Sequence, residues 1–183
     1  MTSYVVVVPG VPALLPAYRG RIDPVPELRD ACHDAVAWLV ERSPSRIAVH
    51  ADSAAGSRAQ DVATALLAEV GFGGDVVPGS AAEVSEGRLI VANGSARRGE
   101  KAPGHLDPRS FGFDEQIEAA LAKGDAASLG GIELDLGADL LAEGLSALRS
   151  LASLAQTHVE PRMLYADDPF GIRYWVVTWK CVF

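Results

Sequence analysis

The chain is poor in the residues that carry redox and metal chemistry: it has two cysteines and four histidines in 183 residues. Cys32 and Cys181 stand near opposite ends and form no C-x-x-C pair, which excludes a thioredoxin-like motif and predicts a reduced, cytoplasmic protein. His33, His50, His105 and His158 fall in no H-x-H, H-x-x-x-H or H-E-x-x-H arrangement. Basic charge is scarce as well. Sixteen Lys and Arg against 24 Asp and Glu leave a net charge of −8, so no nucleic acid is expected as a partner. No apolar run approaches the ~20 residues that span a bilayer, so no membrane is expected either. The run from Tyr4 to Val8 is too short for a signal-peptide core and meets Pro9 at once. Repeats, linkers and low-complexity segments are also missing.

Hydrophobic residues, in contrast, make up 49% of the chain, enough for a sizeable core. The length predicts one domain over 1–183. Val5 to Val8 is β-branched without alternation, the pattern of a strand covered on both faces. A helix is expected from Val25, with Pro26 in its first turn and Leu28, Cys32, Ala35, Val36 and Leu39 along one stripe. Arg46 to His50 reads as a second strand, Ala59 to Val70 as a second helix, and Asp75 to Pro78 and Leu89 to Ala92 as further strands. Asp114 is expected to cap a helix through Lys123 that Gly124 closes, and Asp125 to Leu129 to form a helical turn. The leucines from Leu140 to Leu154 predict one longer helix over 139–155. Near the C-terminus, Pro161 to Tyr165 and Ile172 to Lys180 flank Asp168-Pro169-Phe170-Gly171, a hairpin signal. Trp175, Val177 and Trp179 fall on one face, and Tyr174, Val176 and Thr178 on the other. The expected fold is α/β, a mixed central sheet with parallel early strands and a C-terminal antiparallel hairpin, flanked by helices.

The most distinctive stretch runs from Arg88 to Asp114. An apolar strand breaks into a long loop rich in Gly, Pro and charge, and such loops inside compact domains are often functional. From Gly94 to Ala102 it nearly spells a P-loop. Glu100 intervenes before Lys101, however, and Ala102 stands where a magnesium-binding hydroxyl belongs. Arg97, Arg98 and Lys101 remain candidates for gripping an anion or nucleotide, or else for pairing with local carboxylates such as Asp107. Ser53 and Ser95 follow strands but sit in no G-x-S-x-G elbow. His50 and Asp52 at a strand end, with His105 in the long loop, are the candidates for an enzyme site rebuilt around a metal, the alternative being an enzyme site that works without one.

The loop from Asn93 through Arg109 resembles the G-D-G-S-A-R…E-K-A-P-G-x-L-D-x-R loop of an actinobacterial group of class III extradiol dioxygenase-like proteins. That group is distantly related to the catalytic subunit of protocatechuate 4,5-dioxygenase. Pro9-Gly10-Val11-Pro12 through Pro16 resembles their P-H-P-P-L-L-V-P opening, and Leu164 to Ile172 their ending. The resemblance implies the fold of the dioxygenase catalytic subunit. Active relatives hold Fe(II) with two histidines and a glutamate and use a further histidine as acid/base. Here the first ligand histidine falls on Gly10, the second on Ser53 beside a retained Asp52, and the acid/base histidine on Ala96. The ligand glutamate falls near Ser146, with Glu143 the nearest carboxylate. The chain also looks shorter than the family around 71–87. The expectation is a degenerate member without bound metal or other cofactor that does not cleave rings. Its cleft would be lined by Pro9, Gly10, Asp52, Ser53, Asn93, Gly94, Ser95 and Lys101, and would take a small-molecule ligand. A second copy or a partner subunit is a further expectation, since family relatives pair with other chains.

Overall fold

Four consecutive valines, Val5 to Val8, need apolar neighbours on both faces of a strand, and the fold supplies them. In this computed structural model, which describes residues 1–51, 56–81 and 87–183, the elements in chain order are as follows. They are β1 (Thr2–Val8), α1 (Pro26–Arg42), β2 (Arg46–His50), α2 (Gly56–Glu69), β3 (Asp75–Pro78), β4 (Gly87–Val91), α3 (Arg109–Lys123), α4 (Ala126–Gly130), α5 (Leu134–Asp139), α6 (Leu145–Arg149), β5 (His158–Asp167) and β6 (Tyr174–Val182). The six strands form one sheet in the order β3-β2-β4-β1-β6-β5. The first four are mutually parallel, and β6 and β5 add as an antiparallel hairpin.

β1 is the strand that both halves share. Val5 and Val7 face a core built with α3 to α6, Trp175, Val177 and Trp179. Val6 and Val8 face a second core built with α1, α2, Tyr174 and Val176. The two-sided apolar pattern of β1 and β6 thus has its cause in a sheet sandwiched between helices. No helix of the described residues is long and apolar enough to cross a membrane.

Two expectations fail here, for identifiable reasons. The single helix over 139–155 is instead α5, a turn, α6 and a 3-10 segment at Ser150–Leu154. Leu141 and Gly144 have φ of 58° and 75°, and between them Glu143 forms an antiparallel bridge with Asn93. A Cβ on Gly144 would lie 2.2 Å from the Val91 carbonyl oxygen, so only glycine lets the chain approach β4 this closely. The second failure is Asp114. α3 begins at Arg109, where the Asp107 side chain accepts from the Arg109 N–H at 3.0 Å. That leaves Asp114 inside the helix and buried. Asp125 does cap α4, accepting from the Ser128 N–H at 3.0 Å.

Gly144→Ala combines a left-handed backbone with a backbone clash. We expect it to destabilise the protein by about 3 kcal/mol, read from the urea midpoint.

Candidate functional site

Parallel strands collect ligands at their carboxyl ends, and here β1 and β4 deliver Gly10 and Asn93 side by side. The Gly10 N–H donates to Asn93 Oδ1 at 2.8 Å. Above them opens a cleft of about 330 Å³, bounded by Val11, Leu141, Ile172 and Tyr174 and by Arg58 of α2 and Glu143. Arg58 Nη2 donates to both carboxylate oxygens of Glu143, at 2.6 and 2.8 Å. Asn93 Nδ2 lies 3.5 Å from Glu143 Oε2, at the limit of a hydrogen bond. Ala96 also lines this cleft.

The long loop is pinned on three sides. Gly94 N–H donates to the Arg173 carbonyl and Arg173 N–H to that of Ser95, while Arg98 N–H reaches Gly171 and Ala96 N–H reaches Leu140. The pin at its centre is Asp114. It accepts from the Ser95 N–H at 2.8 Å, the Ser95 Oγ at 2.6 Å and Arg98 Nη1 at 3.2 Å. Burial pushes its carboxyl above the usual range, against the Ser95 hydrogen bonds and the Arg98 charge, which pull it down. Gly94 is glycine because a Cβ there would sit 2.7 Å from Asp114 Oδ1 and 2.6 Å from Arg173 Cβ.

The sequence-predicted residues divide accordingly. Gly10 and Asn93 reach the cleft. Gly94 and Ser95 lie under it as support. Asp52 and Ser53 lie outside the described residues. Arg97, Arg98 and Lys101 do not line the cleft. Arg98 is held by Asp168 at 2.5 Å and by Asp114, with its guanidinium 4.6 Å from the Phe111 ring centre. The Arg97 side chain packs along Gly104, and Lys101 is exposed. Asp107 is tied to Arg109, and His105 is exposed. His50 points elsewhere. Its Nδ1 is 3.3 Å from Ser150 Oγ and its ring lies against Gly79, while Nε2 is buried without a hydrogen-bond partner among the described residues. Among the described residues no group of three or more His, Cys, Asp or Glu is placed to hold a metal ion.

The donor set does not fit the Fe(II) that the resemblance implies. Gly10 and Ala96 have no side-chain donor. A Cβ on Gly10 would already meet Val91 Cγ1 at 3.1 Å, and the Glu143 carboxylate is engaged by Arg58. The residues that sequence reasoning passed over in these roles are Arg58, Asp114 and, as a cleft wall, Tyr174. Only Asp114 left a trace, as an acid on the apolar stripe of Phe113, Ile117 and Leu121. A larger groove of about 610 Å³ runs between α3 and the α4–α5 segment, floored by Phe113, Ile117 and Leu129. The polar groups on its rim are exposed or satisfied locally, as with Arg109 on Asp107 and Asp125 on Ser128, so nothing converges on it.

Asp114→Ala strands the buried Ser95 donors and takes from Arg98 one of its two carboxylates, and we expect a loss of about 3 kcal/mol in chemical denaturation. Asp107→Ala removes the contacts of this carboxylate with the Arg109 N–H and guanidinium at the start of α3, and should lower the denaturation midpoint by less than Asp114→Ala does. For His50, burial first and Arg88 second lower the pKa from 6.5 to about 4. The folded ring stays neutral where the unfolded one binds a proton, so the unfolded state holds more protons between these values. The stability of the fold is therefore unaffected by this ring above pH 6.5 and falls as pH drops toward 4. His50→Gln should flatten the pH dependence of Tm over that window, and the wild-type ring should not titrate in NMR spectra above it. No family model matches this chain, and no curated protein matches it.

Proposed function

We propose that this protein is a degenerate relative of the class III extradiol dioxygenase catalytic subunit that binds a small molecule and does not cleave aromatic rings. The observation that carries the reading is the pair Gly10 and Ala96. Both line the cleft at the strand ends, and both stand where the resemblance would put a histidine. The cleft supports binding in its own right. Its volume of about 330 Å³ suits a small ligand, its walls are apolar, and a few polar groups converge on it from separate elements.

The contrary reading, an anion module on the 94–101 loop, has little support, because Arg98 already satisfies two carboxylates. A metal site rebuilt on His50 and His105 is no better served, since neither lines the cleft.

Protein purified anaerobically and analysed for metals should carry well under one iron per chain. With added Fe(II) it should consume no oxygen on catechol or a carboxylated catechol. One tightly bound iron equivalent, or oxygen uptake with ring-opened product, overturns the proposal.

A further inference from the structure

One polar group in the cleft stands apart from the others. Tyr174 is 1% exposed and lines the cleft, and its hydroxyl takes part in none of the side-chain hydrogen bonds found among the described residues. A buried phenol normally finds an acceptor, and one that faces a cavity without one is set for a ligand. Its pKa is pushed up to about 12, by burial first and then by Tyr165 and Glu143, against Arg58. The hydroxyl therefore remains a proton-bearing donor at any physiological pH.

The other charges in the cleft cancel. Arg58 and Glu143 make a bidentate pair, so an anionic ligand would meet Glu143 and a cationic one Arg58. A neutral ligand disturbs neither. The Glu143 oxygens retain lone pairs that accept a further N–H. Leu141, with φ of 58° and 44% exposed, and Ile172 provide apolar wall.

We infer that the cleft selects an uncharged carbonyl compound, an amide above all, whose oxygen accepts from Tyr174, whose N–H faces Glu143 and whose apolar body lies against Leu141 and Ile172. This rests on the small-molecule reading of the cleft and adds the chemical class.

The test is a titration of full-length protein with four probes that share one phenyl ring, benzamide, benzoate, benzylamine and toluene, followed in amide NMR spectra. Benzamide should shift the Gly10 and Asn93 signals and bind at least tenfold tighter than benzoate or benzylamine. Tyr174→Phe should weaken benzamide about tenfold, the value of one hydrogen bond, and leave toluene unchanged. It should not lower Tm, because the hydroxyl it removes takes part in none of the side-chain hydrogen bonds found among the described residues. Preference for a charged probe, or benzamide binding unmoved in the variant, overturns the amide assignment while the cleft stands as a ligand site. Probes that shift none of the cleft signals overturn both.

Discussion

A single buried carboxylate organises the carboxyl-end surface of this sheet. Asp114 sits within a helix, on the side that should be apolar, and is matched there by two donors from Ser95 and one from Arg98. Burying a charge without partners would cost several kcal/mol, so the loop must bring those donors to it. Once Ser95 is fixed, the backbone on either side is fixed too. Asn93 is set against Gly10 and Glu143, and Ala96 against Leu140. The cleft inherits its shape from this chain of contacts. Within the charged, Gly/Pro-punctuated loop, Arg98 is thus a structural anchor between Asp114 and Asp168.

The architecture was largely readable beforehand. Strict β-branched runs announced β1, and period-2 alternation with two apolar faces announced β6. A 3.6-residue stripe with Pro26 at its head announced α1. Each of these signals is local, since neighbouring residues carry all of it. The late helix failed because leucines at helical spacing look the same whether the helix is continuous or interrupted. The interruption lies in Gly144 and in a backbone bridge from Glu143 to Asn93, fifty residues away, which no local pattern contains.

The site was less readable for the same reason. Gly10 and Asn93 follow strands, and strand ends can be guessed. Arg58 and Glu143 are 85 positions apart, and their pairing exists only once α2 and the turn before α6 are both docked on the sheet. Tyr174 looked like one more aromatic in a sheet face, and it lines a cleft only because the fold brings Leu141 and Ile172 to the same opening. His50 drew attention through its chemistry, yet the side-chain alternation of β2 sends it to the face occupied by Ser150.

The position of β6 has a consequence for how the chain is made. This late strand lies between β1 and β5, with Thr2 to Val7 paired directly to its residues. Until β6 has emerged from the ribosome, one edge of β1 has no partner, and Val5 to Val8 form an apolar, uncharged strand of the kind that recruits other chains. The loop at 93–109 waits on the same event, because Gly171 and Arg173 complete its hydrogen bonds. Contacts of such long sequence separation slow folding. Sheet and cleft are completed together, and an interrupted synthesis leaves a sticky half-sheet and no partial site.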